Sequence, residues 1–103
     1  MINIEKLREY YNNNRVFFTN HATERIRERG IIAKDVRHAV MTGEIIEEYP
    51  DDYPYPSCLI VGLSLKSFPI HIVMSDEGNL SRIITAYFPD SAKWDENFKI
   101  RKA

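Results

Sequence analysis

The spacing of apolar residues changes at Gly43. Before it they recur every three or four positions, the period of a helix face; after it they come in short β-branched runs broken by Pro, Asp and Gly, as strands do. A chain of 103 residues cannot divide those halves into two cores, because each alone would bury too small a fraction of its surface. Residues 1–103 are therefore expected to form one α+β domain. Its N-terminal helices should pack on one face of a three- to four-stranded antiparallel sheet, since short strands leave a face that only the helices can cover.

Ile4, Leu7, Arg8 and Tyr11 share a helical spacing, with Asn3 as a candidate N-cap, and the Asn12-Asn13-Asn14 run reads as a turn. Arg15 to Phe18 is a short β-prone run. A second helix is expected from His21 to about Arg29, capped by Thr19 or Asn20 and closed by Gly30. A third should run from Ala33 to Thr42, burying Val36, Ala39 and Val40 and stopping at Gly43. Glu44 to Tyr49 reads as a strand, and the loop through Pro50, Pro54 and Pro56 as irregular. Ser57–Leu65 and Phe68–Met74 stand at hairpin spacing around Lys66-Ser67, and Leu80–Phe88 makes the last strand. Trp94 and Phe98, in the tail from Pro89 to Ala103, are expected to fold back over the sheet.

The single cysteine, Cys58, asks for no oxidising compartment, and neither a signal-peptide pattern nor a run of about 20 apolar residues is present. A cytoplasmic protein with no membrane association is expected. The formal net charge of −1 argues against coating nucleic acid by bulk attraction. The charges are unevenly placed, however: Lys6, Arg8, Arg15, Arg25, Arg27, Arg29, Lys34 and Arg37 crowd the helical half, while Glu44, Glu47, Glu48, Asp51 and Asp52 follow without a base. That asymmetry is compatible with an anionic-ligand site on the helical side, and equally with solvated helix faces followed by an acidic loop.

Within His21-Ala22-Thr23-Glu24-Arg25 the imidazole and the guanidinium stand one turn apart on one helix face, near a helix start where backbone N–H groups point outward. An Arg fork on a phosphate and a His able to move a proton near neutrality suit metal-free cleavage of a phosphodiester. The alternative is a solvated His21 with Arg25 paired to Glu24 or Glu28. In the last strand, alternation places Ile83, Thr85 and Tyr87 on one face and Ile84, Ala86 and Phe88 on the other, the second set being the expected core. Thr85 and Tyr87 would then present two hydroxyls outward, or Tyr87 would be half-buried with its ring packed under the helices. His71 reads as a satisfied sheet histidine, and His38 has no evident partner. No His or Cys spacing suits a metal, and Mg²⁺ on the acidic loop is a weaker alternative, so neither metal nor cofactor is expected.

These segments resemble a family of uncharacterised bacterial and archaeal domains. The shared pattern here reads Thr19-Asn20-His21-Ala22 with Arg25, then Arg29-Gly30-Ile31, Asp35-Val36, Gly43-Glu44-Ile45, Glu48-Tyr49-Pro50 and Ile84-Thr85-Ala86-Tyr87-Phe88-Pro89. That family is similar to RelE-type toxins and barnase-like ribonucleases. The resemblance implies a metal-independent endoribonuclease-like toxin domain, with RNA as substrate and a cognate antitoxin protein as partner. By position it implies His21 as acid/base, Arg25 as phosphate clamp and Thr85 with Tyr87 as strand groups of the site, with Arg29 and Arg82 as RNA contacts. The chain departs from RelE-type toxins in lacking their strongly basic charge. A non-catalytic protein-binding or regulatory domain on the same fold is the alternative.

Overall fold

Asn3 opens the first helix as its spacing predicts: the Asn3 carboxamide accepts the Glu5 N–H at 2.8 Å, and α1 runs over Ile4–Asn12 with Leu7 and Tyr10 turned inward. In this computed structural model, which describes residues 1–103, Asn14 takes a positive φ of 57° and reverses the chain into β1, Val16–Phe18. Thr19, rather than Asn20, caps the next helix: its hydroxyl accepts the Ala22 N–H at 3.0 Å, and α2 spans Asn20–Glu28. Gly30 closes it at φ +71°, letting the Ile31 N–H reach back to the Ile26 carbonyl. α3, Ala33–Thr42, opens with the Asp35 carboxylate accepting the Ile32 N–H and buries Val36, Ala39 and Val40 completely.

Four strands follow: β2 Glu44–Tyr49, β3 Ser57–Leu63, β4 Pro69–Ser75 and β5 Ser81–Tyr87. They lie antiparallel, but the sheet has five strands in the order β1-β5-β4-β3-β2, and β1 runs parallel to β5. The expectation of three or four antiparallel strands is corrected on both counts. The β-prone run before the second helix does form a strand, but three residues carry too little periodicity to say where it pairs; its backbone finds partners in β5, pairing Val16 with Ser81 and Phe18 with Ile83. The β3–β4 connection is also longer than two residues: Ser67 adopts φ +67° and Ser64 pairs with Phe68, so both strands stop short of the expected ends.

The three helices cover one sheet face, where Cys58, Ile60, Ile70, Ile72, Met74, Ile83 and Ala86 meet Leu7, Ala22, Ile26, Val36 and Val40. Each fully buried aliphatic side chain there stabilises the fold by about 1.5–3 kcal/mol. Residues 89–103 fold back on the other face, as expected, burying Trp94. No helix is long and apolar enough to cross a membrane.

Strand β5 departs from simple alternation. Val73 pairs with Thr85 but Met74 pairs with Ile83, leaving Ile84 as the extra residue of a bulge. Ile83 therefore enters the core with Ala86, while Ile84 and Phe88, expected inside, are exposed at 38% and 44%. Thr85 and Tyr87 do face away from the helices, half-buried, so the Tyr87 ring does not pack under them.

Candidate functional site

Strand β1 is three residues long, so it pairs with β5 only as far as Ile83; the last rung is Thr19 N–H to the Ile83 carbonyl at 3.3 Å. Beyond it the outer edge of β5 is free, and α2, which starts at that point, packs along it. An unpaired edge needs a cover. Here the Arg29 guanidinium supplies it, donating from one amino group to the Ala86 carbonyl at 2.8 Å and to the Thr85 hydroxyl at 3.3 Å.

His21, Arg25 and Arg29 stand four residues apart on one stripe of α2. Arg25 donates through Nε to His21 Nε2 at 3.3 Å and through its fork to Glu28 at 3.2 Å. In the first of these contacts Nε2 of His21 is the acceptor. Arg25 is thus shared between the two arrangements weighed from sequence, the His21 contact and the Glu28 ion pair. Arg29 makes no ion pair; its recorded partners are neutral, and its charge stays available to an anion.

The Tyr87 hydroxyl is turned inward. It lies 3.3 Å from His71 Nδ1, while His71 Nε2 lies 2.7 Å from the Phe98 carbonyl. A carbonyl only accepts, so Nε2 carries the hydrogen, and the phenol donates to Nδ1. Burial holds the His71 pKa below its ordinary value despite the Phe98 carbonyl, so the ring is held neutral. Burial likewise raises the Tyr87 phenol. The Trp94 and His71 rings meet at right angles with their centres 4.5 Å apart, and Arg101 stacks 4.6 Å over Trp94 while forking onto Glu47 at 2.9 and 3.1 Å.

Arg82 stands apart from this edge, paired to Glu77 at 3.0 Å, so the guanidinium proposed for RNA contact already has a carboxylate. His38 has a partner after all, the Leu63 carbonyl at 2.8 Å from Nδ1. The acidic segment does not gather: Glu48 accepts the Ile2 N–H and Asp52 accepts the Ser57 hydroxyl. No group of three His, Cys, Asp or Glu side chains is placed to hold one metal ion.

The family described as a domain of unknown function, DUF4258, matches residues 18–88. The chain belongs to that family. The DUF4258 span begins at the last residue of β1 and ends one residue past β5, so it contains both helices of the hairpin and every antiparallel strand, with α1 and residues 89–103 outside it. No match was found among curated proteins or among solved structures.

Inside the DUF4258 domain, then, His21 joins Arg25, Arg29 joins Thr85, and Tyr87 joins His71; Arg82 joins none of them. It is the end of α2, through Arg29, that touches the end of β5. The residue sequence reasoning missed is His71, set aside as a sheet histidine. It is fully buried and hydrogen-bonded at both ring nitrogens, as that reading holds, but one of its partners is Tyr87. The signal lay in the strand register, which sets His71 directly opposite Tyr87, and register is not readable until the β5 bulge is known.

Proposed function

We propose that this DUF4258 domain cleaves RNA without a metal, at the groove between α2 and the free edge of β5, as a toxin-type endoribonuclease with a cognate antitoxin protein as its partner. The observation that carries the reading is Arg29: a guanidinium without a carboxylate, anchored on Thr85 and Ala86, at the end of a stripe that begins with His21 and Arg25. In this scheme the substrate phosphate draws the Arg25 guanidinium off His21 Nε2 and is clamped by it, and the nitrogen so freed takes the proton of a ribose 2′-hydroxyl as that oxygen attacks the adjacent phosphorus. Arg29 with the Thr85 hydroxyl stabilises charge on the phosphorane oxygens. The 5′ oxygen leaves with a proton from water, and the products are a 2′,3′-cyclic phosphate and a 5′-hydroxyl. Tyr87 is a poor proton donor for that step, since burial raises its pKa and its hydrogen is committed to His71. Helices preceding a mainly antiparallel sheet are in keeping with RelE-type and barnase-like ribonucleases, although the parallel β1 is an addition.

The test is incubation of the purified chain with end-labelled RNA, with and without EDTA. Cleavage to cyclic phosphate ends, indifferent to EDTA and reduced at least a hundredfold in His21→Ala and Arg29→Ala, is the expected result. Cleavage that survives both substitutions would refute the assignment. A non-catalytic binding role is the second reading, favoured by the exposed apolar side chains of Leu63, Leu65 and Phe68 around the β3–β4 connection.

A further inference from the structure

The second face of the sheet, opposite the helices, is occupied by residues 89–103, and the manner of occupation is unusual. Backbone hydrogen bonds donated in this segment end within it: Trp94 N–H to the Asp90 carbonyl at 3.1 Å, Asp95 to Ile100 at 2.9 Å, Lys102 to Lys93 at 2.9 Å. The Asp95 carboxylate adds bonds from the Lys99 and Ile100 N–H groups. The segment thus holds its own shape and contributes no rung to any strand. Its hold on the sheet runs through side chains: His71 Nε2–H to the Phe98 carbonyl, the Trp94 ring on His71, Arg101 on Glu47 and Lys99 on Glu44 at 2.7 Å. Lifting it would leave every strand pairing intact.

We propose that this face is a docking surface for a short, turn-forming peptide segment of a partner protein that carries an aromatic ring and an arginine, and that residues 89–103 occupy it in cis as a detachable tile. The resident segment displays the chemistry the face selects. Glu44 and Glu47 each take a cation from it, His71 offers a neutral N–H to a backbone carbonyl, and the imidazole and the indole meet at right angles. Arg101 stacked on Trp94 presents cation and ring as one unit. The Lys99–Glu44 pair is exposed on both sides and yields to salt, whereas the two-bond fork of Arg101 on the largely covered Glu47 is the firmer hold and the one a competing arginine has to match. The DUF4258 match ends at residue 88, which places the face inside the shared domain and the tile outside it.

The experiment uses the full chain, whose sole tryptophan is Trp94, and a fluorescent synthetic peptide with the sequence of residues 89–103. Arg101→Glu sets a carboxylate against Glu47 and should red-shift Trp94 emission while cooperative unfolding persists. The labelled peptide should bind this variant at least tenfold more tightly than wild type, and the exchanged pair Glu47→Arg/Arg101→Glu should exclude it again. In the wild type, hydrogen exchange at Trp94, Asp95, Phe98 and Lys102 should run well ahead of β3 and β4. The proposal is overturned if Arg101→Glu leaves both emission and peptide binding at wild-type values, if it abolishes cooperative unfolding, or if those amides exchange in step with the central strands.

Discussion

Replacing Gly62 by alanine adds one methyl group where the structure has no room for it. Gly62 lies in β3 under α3, and a Cβ there would stand 2.0 Å from the Ala39 carbonyl oxygen and 2.6 Å from its carbon. The same oxygen would lie 2.5 Å from a Cβ at Gly43, so α3 rests in a notch made by two glycines. Ordinary contact begins near 3.4 Å, and the obstructing atoms are backbone, so the helix must retreat by roughly 1.4 Å. Val36, Ala39 and Val40, all fully buried, would retreat with it and lose close contacts with the sheet. Overpacking typically costs about 1–3 kcal/mol, and with no flexible side chain to yield, Gly62→Ala should reach ~3 kcal/mol or more. At about 4–8 °C per kcal/mol for a domain of this size, the thermal midpoint should fall by roughly 12–24 °C. Circular dichroism melts with matched urea titrations measure it. Gly30→Asn is the control: φ is +71° but nothing lies within 4 Å, and Asn tolerates that conformation, so the midpoint should barely move. A Gly62→Ala midpoint within about 4 °C of wild type would refute the close approach of α3 to β3.

The Tyr11 hydroxyl is buried without a hydrogen-bond partner; Tyr11→Phe should therefore leave stability unchanged or raise it by about 1 kcal/mol, and a loss of that size in urea titration would reveal a missing partner. Burial pushes the Cys58 thiol up to about 12, so the native chain should resist a thiol reagent at neutral pH and react once unfolded; rapid native labelling would contradict its burial. His71 titrates below its ordinary value of 6.5 when folded, so the unfolded chain binds more protons in that window. Its contribution to stability is intact above about pH 6.5 and is lost as pH falls through the folded pKa, and His71→Gln should flatten that part of the profile. Identical pH slopes in variant and wild type would remove His71 from the explanation.

What was legible in the sequence was local. The Asn3 cap, a second-helix cap at Thr19 or Asn20, the Gly30 stop and the Val36-Ala39-Val40 stripe each depend on atoms a few residues apart and were readable from spacing and side-chain chemistry, with only the choice of Thr19 left to the structure. The His21–Arg25 contact belongs to the same class, because one helical turn fixes it.

The remainder depended on tertiary pairing. β1 exists because β5 offers its free N–H and C=O groups to three residues that would not form a strand alone. The bulge at Ile84 exchanges Ile83 and Ile84 between the two faces of β5 while leaving Thr85, Ala86 and Tyr87 where alternation puts them, and no alternation rule anticipates an inserted residue. His71 meets Tyr87, and Arg29 meets Thr85, across 16 and 56 residues of sequence. Helix period and capping are short-range physics carried by neighbouring residues, whereas register, edge exposure and the meeting of distant side chains are set only when the whole core closes.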